Sequence, residues 1–561
     1  MRRLVGVLMA CAVAGAAAGA DLPLGHKDFV PTPERPVGWR GDGSGCFPGA
    51  TPPTQWDGPS GKNILWKAVM PHQTHASPIV VGKKVITLAD PHTILCLDAD
   101  TGEFLWHNAQ DQLDLLLKPD EAKRYRRLWD LFHRYFTNHG PLRRPPQKGM
   151  SPDDPKAVEA AGKELKAAGL PVEVNEDGAA AMSEGGGNAT LNFVPFFTKV
   201  GLWTNRQPGF AATQATPVSD GTRVWVYYAT NTAACYDLKD GRVVWMKWLG
   251  ECTALPADRF FPSPLLVDGV LAVLGGGTFR GLKPDTGDVL WEHDYKGSNY
   301  SVSSPAVVTL DGRPLLVTWE GWVVRPRDGK VLTTKREITA DARLRLYNRG
   351  NSPFTAGDGR YVQQIFPMKP NSLFAAFCLK AAGDGAVTNG SLWVAQPVCY
   401  DHDDGTSAFY GGYVYVNNGW DVIELATGKV HSRELAMPSG GYPGVNVAGK
   451  HLVNFDGAAS AGLATLGPEG RVAAVNHLLA GYKHAGRVVS GKGGNRSQGD
   501  RLVREVEWWK QVDEARAKGI IGWVGRHHAL GLGDMTADPF FHGDRIYVRT
   551  YTHLYCIGPK P

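Results

Sequence analysis

The chain reads as an all-β protein, an eight-bladed β-propeller carrying two partly helical insertions. Three observations predict this. Eight times a short apolar run stops at a glycine turn and resumes as a second β-type run. The turn glycines are Gly82, Gly221, Gly269, Gly312, Gly359, Gly412, Gly449 and Gly543. Their spacing is periodic: four of the seven intervals lie between 43 and 53 residues, one is 37, and the other two, 139 and 94, each hold a repeat plus an insertion. A period of about 40–50 residues made of short strands is that of a propeller with one blade per repeat. Finally, the last repeat stops without a fourth strand, while Ile64-Leu65-Trp66-Lys67 is a strand-like run with no strands before it.

The first repeat shows every part. Ala76-Ser77-Pro78-Ile79-Val80-Val81 leads into the Gly82 turn, Val85-Ile86-Thr87-Leu88 and Ile94-Leu95-Cys96-Leu97-Asp98 follow, and Asp100-Thr101-Gly102 turns into a run ending at Leu105-Trp106. Four short strands joined by glycine turns make an antiparallel meander. Proline at the start of a first strand costs no ladder bond, and glycine in the last turn is free to take positive φ. The tryptophan that ends the fourth strand can stack between blades, where it supplies a large apolar area.

Later repeats keep these parts in order. Repeat two has Thr216-Pro217, Asp220-Gly221, Asp240-Gly241 and Val244-Trp245. Repeat three has Ser263-Pro264, Asp285-Thr286-Gly287 and Leu290-Trp291. Repeat four has Ser304-Pro305 and Asp328-Gly329, but Thr333 stands where the tryptophan would be. Repeat five starts at Ser352-Pro353, repeat six keeps Ala426-Thr427-Gly428, and repeat seven is the most degraded. Repeat eight runs from Asp538-Pro539 through Gly543 to Leu554-Tyr555-Cys556-Ile557. Residues 62–70 are expected to supply its missing strand, closing the ring and removing exposed sheet edges.

The pattern Asp-x-x-Thr-Gly-x-x-x-Trp, seen from Asp98 to Trp106, resembles the tryptophan-docking repeat of quinoprotein dehydrogenases and of BamB-like outer-membrane assembly factors. Together these are the pyrroloquinoline-quinone (PQQ)-like eight-bladed propellers. The resemblance covers about residues 60–110 and 210–560. It implies the fold; it does not imply the cofactor, because the repeat is structural in that superfamily.

The remaining segments bound the setting. Met1-Arg2-Arg3, the apolar run after it and Ala18-Gly19-Ala20 read as a secretory signal peptide over 1–20, with 21–57 an N-terminal extension and 58–561 the propeller. Leu8-Met9-Ala10-Cys11 resembles a lipoprotein box but leaves only a short apolar stretch before the cysteine. No later stretch has the ~20 apolar residues of a spanning helix, so the mature chain is expected to be periplasmic or secreted. A net charge of +5 gives no reason to invoke nucleic acid. The insertions fall at about 107–209, with helices opening at Pro119-Asp120-Glu121 and at Pro155, and at about 473–530. Cys96, Cys235, Cys378 and Cys556 share one mid-strand slot in different repeats and are expected to be buried and unpaired. A pair among Cys46, Cys252 and Cys399 stays open.

Chemistry could sit in the loops that enter the innermost strands, which form a funnel at the channel mouth. The ligand candidates there are His75, Gln214, Arg259, Arg349, Asn351, His402 and Asp538, a set able to hold a polar or anionic ligand such as a glycan. Asp401-His402-Asp403-Asp404 and Arg526-His527-His528 lack a recognised metal-ligand spacing, and neighbours on a strand face opposite sides. No metal is therefore assigned. No phosphate loop, G-x-S-x-G elbow, H-E-x-x-H, CxxCH haem site or adjacent cysteine pair is present. The expectation is a non-catalytic binding or scaffold module without bound quinone. The alternative is a PQQ- and calcium-dependent dehydrogenase or a carbohydrate-active propeller enzyme.

Overall fold

Eight antiparallel meanders follow one another along the chain. The structure, a computed structural model, describes residues 22–90, 92–138, 155–168, 213–250, 262–295, 303–334, 337, 352–365, 373–396, 406–416, 421–432, 444–456, 459–478, 535 and 537–560. Blade 1 runs from Ile79–Val81 to Phe104–Asn108, blade 2 from Val218–Ser219 to Val243–Trp248, and blade 3 from Leu265–Val267 to Val289–Asp294. Blade 4 runs from Ala306–Leu310 to Val331–Thr333, blade 5 from Phe354–Thr355 to Val387–Ala395, and blade 6 from Ala408–Tyr410 to Val430–Ser432. Blade 7 spans Asn446–Ala448 to Val472–His477, and blade 8 opens at Phe540–His542. First strands of neighbouring blades touch, so they line the central channel. All eight predicted turn glycines have positive φ, between +55° and +93°, and each closes the hairpin after a first strand.

Ring closure occurs where the sequence placed it. Ile64–Val69 pairs antiparallel with His553–Ile557, with Trp66 opposite Cys556 and Lys67 opposite Tyr555, and serves as the fourth strand of blade 8. The apolar core is continuous across this closure, running through blades 7, 8, 1 and 2 and including Leu24, Phe29, Phe47 and Trp56 of the N-terminal segment.

The tryptophans dock as the repeat demands. Trp106 of blade 1 donates its indole N–H to Leu238 O of blade 2 at 3.2 Å, and its ring lies against Gly241. The same contact joins Trp66 to Ala99 O (3.0 Å) and Gly102, and Trp245 to Pro284 O (2.7 Å) and Gly287. Trp291 meets Pro326 O (2.6 Å) and Gly329, and Trp393 meets Leu425 O (2.7 Å) and Gly428. Five joints are built this way among the described residues. Trp393 was not singled out in the sequence, although Leu392-Trp393 repeats the Leu-Trp ending. In each turn the glycine N–H closes back on a carbonyl four residues earlier, as in Gly102 N to Asp98 O at 2.9 Å and Gly287 N to Lys283 O at 2.7 Å. A Cβ on Gly287, whose φ is +71°, would lie 2.6 Å from the Trp245 ring, so this position must be glycine twice over.

A second series joins the inner strands. Ser77 N donates to Thr216 Oγ1 at 3.0 Å, Thr216 N to Ser263 Oγ at 3.0 Å, Ser263 N to Ser304 Oγ at 2.9 Å, and Ser304 N to Ser352 Oγ at 2.9 Å. The residue before each proline thus hands its N–H to the hydroxyl of the next blade. All five side chains are buried. The sequence showed the prolines but not this role for the hydroxyls.

The first insertion is helical where described, with helices at Leu113–Leu116, Pro119–Asn138 and Pro155–Ala167. The last two pack on each other, held by a two-pronged pair from Arg127 to Glu164 (2.6 and 2.8 Å). The second insertion lies outside the described residues beyond Leu478.

Cys96, Cys235, Cys378 and Cys556 are free, and Cys46 is free as well. Cys252 and Cys399 lie outside the described residues. One correction applies: Cys378 is only half-buried, because it sits where the long outer hairpin of blade 5 turns a face toward solvent. Burial pushes the Cys96, Cys235 and Cys556 thiols up to about 12. Native labelling with iodoacetamide at pH 8, read by peptide mapping, should therefore modify Cys378 well before these three. Equal rates at all four would contradict the burial. Trp245→Ala should cost about 3–5 kcal/mol in urea unfolding, from lost area and a cavity between blades 2 and 3.

Candidate functional site

The N-terminal segment enters the channel. Residues 37–47 rise through it and return. Val37 exchanges two main-chain hydrogen bonds with Ser219 on the first strand of blade 2 (2.9 and 2.8 Å). A tight turn follows, with Gly38 and Gly41 bonded to each other at 2.7 and 3.1 Å. Cys46–Phe47 then descends as a fifth strand of blade 7, parallel to Asn446–Ala448. Phe47 wedges against Phe540 and Phe541 of blade 8, with ring centroids 5.1 and 5.2 Å away. Only the channel offers one path that touches the first strands of blades 2, 7 and 8.

Arg40 stands at the top of this hairpin and is 1% exposed. Its guanidinium donates to Thr406 Oγ1 (2.7 Å) and Ser407 O (3.0 Å) of blade 6, Val445 O (2.5 Å) of blade 7, and Asp538 Oδ1 (3.3 Å) of blade 8. These are the residues that lead into the first strands, the level of the Ser/Thr ring. Blades 6 and 7 lack the Ser-Pro start, and Arg40 takes over there. Asp538 completes the pattern by accepting Gly444 N at 2.7 Å. A Cβ on Gly45 would lie 1.9 Å from Arg40 Nη2, and one on Gly444 2.1 Å from Nη1, so both glycines make room for the guanidinium.

Beside this layer, blades 8, 1 and 2 share a buried polar block. Asp90 Oδ1 accepts Thr213 N (3.0 Å) and Thr213 Oγ1 (2.8 Å), tying blade 1 to blade 2. Thr74 Oγ1 donates to Thr213 O at 2.6 Å, and His72 Nδ1 lies 3.9 Å from Asp90 Oδ2. Arg549 of blade 8 donates to the carbonyls of His72 and Thr550. Burial lowers its guanidinium to about 9, against the opposing pull of Asp90. Burial also holds His92 down to about 4 and His553 down to about 3, so both imidazoles are neutral at pH 7. His92 Nε2 pairs with Thr230 Oγ1 at 3.0 Å. Neutral imidazoles and a caged guanidinium make this a joint between blades.

Three predicted ligand candidates are described. His75 is buried, donates its main-chain N–H to Thr213 O (3.2 Å) and sets its ring edge-on to Tyr551 at 5.8 Å. Gln214 is buried on the adjoining loop of blade 2, so the structure brings these two together. Asp538 is buried and committed to Arg40 and Gly444. Arg259, Arg349, Asn351 and His402 lie outside the described residues, as do Asp401, Asp403, Asp404 and Arg526, His527 and His528. Arg40 was missed in the sequence. Its signal was negative: repeats six and seven lack the Ser-Pro start, so something else had to fill the ring.

The fold and its docked tryptophans define an eight-bladed propeller of the PQQ-like class. The model of one family, the outer membrane protein assembly factor BamB, matches residues 53–125 and 199–362, so the repeats of this chain are similar to that family's. Among solved structures it is similar to BamB from Moraxella catarrhalis at 12% identity, covering 60% of this chain and 80% of that one with a TM-score of 0.34. The quinohemoprotein alcohol dehydrogenase from Comamonas testosteroni matches at 12% identity over 46% of this chain and 42% of its own, TM-score 0.23. The Pan2 WD40 domain of Neurospora crassa matches at 9% identity over 61% and 87%, TM-score 0.29. No curated protein matches the chain.

Two predictions follow from the site. Arg40→Met should cost about 3–5 kcal/mol in urea unfolding, because it leaves the Asp538 carboxylate buried without its cation. Adding Asp538→Asn should recover part of that loss; strictly additive losses would separate the two residues. The second concerns acid. His92 and His553 have folded pKa values below the ordinary 6.5, so the unfolded chain binds more protons and stability falls as pH drops from about 6.5 toward 4. His92→Gln should flatten the fall of the thermal midpoint across that window, and an unchanged slope would contradict the assignment.

Proposed function

We propose that the chain is an exported propeller that acts outside the cytoplasm as a binding or scaffold module, without a bound quinone. One observation carries the reading. The described tryptophans behind the quinoprotein resemblance are spent on joints between blades, and the hairpin 37–47 lies in the channel against blades 2, 6, 7 and 8. A quinone needs a flat stacking surface, cationic partners for its carboxylates and usually a calcium held by oxygen ligands. Here the buried Arg40 is already bonded to four acceptors of the fold itself. That commitment of Arg40 supports a reading without the cofactor.

The extracytoplasmic setting rests on the signal-peptide pattern of residues 1–20. Among the described residues no helix is long and apolar enough to cross a membrane. The matched family is described as an outer-membrane assembly factor, which favours a protein-facing scaffold over a small-molecule enzyme. A polar or anionic ligand at the mouth would meet His75 and Gln214, with Arg259 and Arg349 as its anion partners.

The test is direct. Purified chain incubated with PQQ and calcium should show no retained chromophore after desalting and no dye-linked alcohol or sugar oxidation. Retained PQQ together with turnover would overturn the reading and install the dehydrogenase in its place. Fractionation of cells should recover the chain outside the cytoplasm, and deletion of residues 2–20 should leave it inside.

A further inference from the structure

A groove of about 580 Å³ lies on the outer flank of the ring between blades 2 and 3, away from the channel mouth. The fourth strand of blade 2 contributes Met246, Lys247, Trp248 and Leu249. Blade 3 contributes Arg280, Gly287, Asp288, Val289 and Glu292, and the short helix Leu113–Leu116 roofs one side with Leu115 and Leu116. That volume is within the range of small-molecule sites.

Two features of the groove call for a ligand. Among the described residues Trp248 Nε1 and Arg280 Nη1 are buried donors with no acceptor, and the Arg280 side chain is only 10% exposed. Buried donors of this kind are nearly always met in folded proteins. The walls, in contrast, are apolar and open. Leu115, Leu116 and Val289 are 44%, 38% and 50% exposed at the groove, beside Met246. Bulk apolar exposure beside unmet donors is the inverse of an ordinary surface.

The charges around it narrow the ligand. Arg280 Nε is paired with Glu292 at 2.5 Å, and Lys247 with Asp288. The four charges cancel, so no net field draws a polyanion. What remains unmet is one or two hydrogen bonds at the floor and aliphatic contact at the walls. We propose that the groove binds an aliphatic acyl compound, an alkyl chain ending in a carbonyl or carboxylate oxygen. The head oxygen accepts from Arg280 Nη1 and Trp248 Nε1, and the chain lies along Leu115, Leu116, Met246 and Val289. This site is independent of the function proposed above.

The probe is sodium octanoate, titrated into the full chain and followed by isothermal calorimetry. Saturable binding is expected. Acetate, which has the head without the chain, and octylamine, which has the chain with a donor head, should each bind at least tenfold more weakly. Arg280→Met and Trp248→Phe should each weaken octanoate about tenfold with the thermal midpoint little changed. Leu116→Asp, at an exposed position that leaves the fold alone, should weaken it by removing an apolar wall. Absence of saturable binding, equal affinity for octylamine, or wild-type affinity in all three variants would overturn the proposal.

Discussion

The contact on which the ring depends is an indole laid over a glycine. At Trp245 the ring covers Gly287, and its N–H reaches the carbonyl of Pro284 at 2.7 Å. Each half constrains the other. The glycine must have no Cβ because the ring sits there, and the ring must be a tryptophan because only it spans that distance while still offering a donor. Apolar area and a satisfied hydrogen bond are gained together, so the joint has one geometry. Repeating it around the ring sets the angle between blades and hence their number. On blade 7 the N-terminal segment adds a tryptophan of its own: Trp56 stacks on Phe455 at 6.1 Å, and its main-chain N–H bonds Asn476.

The inner ring follows the same logic with polar groups. Hydroxyls just before the first strands carry the main-chain N–H groups of the preceding blades, and each buried donor finds its acceptor without side-chain charge. Blades 6 and 7 have no such start, and a guanidinium with four acceptors fills the gap. A buried cation is costly unless fully bonded. Arg40 is tolerable there because two carbonyls, a hydroxyl and the Asp538 carboxylate surround it. The same commitment removes Asp538 from service as a free ligand at the mouth.

Much of the fold was legible because its devices are local and repeated. Turn glycines, Thr-Gly turns and Leu-Trp endings are short patterns whose period survives insertions, and the unpaired run at residues 64–67 announced closure. The inner ring was half legible: Ser-Pro was visible, but the bond from one blade's N–H to the next blade's hydroxyl links residues 41 to 139 positions apart. The plug was not legible. Residues 37–47 have neither alternation nor period, and their partners on blades 2, 6, 7 and 8 lie far along the chain. Of the mouth candidates, burial sorted the described ones. His75, Gln214 and Asp538 looked like polar funnel residues, yet all three are buried, and Asp538 is engaged by the fold.

Both closures of the ring come from the N-terminal segment. Residues 64–69 supply the last strand of blade 8, and residues 37–47 lie in the channel and bond blades 2, 6, 7 and 8. Neither contact can form until the C-terminal blades exist, because Ile64 pairs with Ile557. Contacts of such sequence separation carry the loop-closure cost of nearly the whole chain and need the blades between them in place. Arg40 cannot be buried favourably until blades 6, 7 and 8 present their acceptors together. The hairpin therefore rewards a ring in which blades 2, 6, 7 and 8 are already assembled around it.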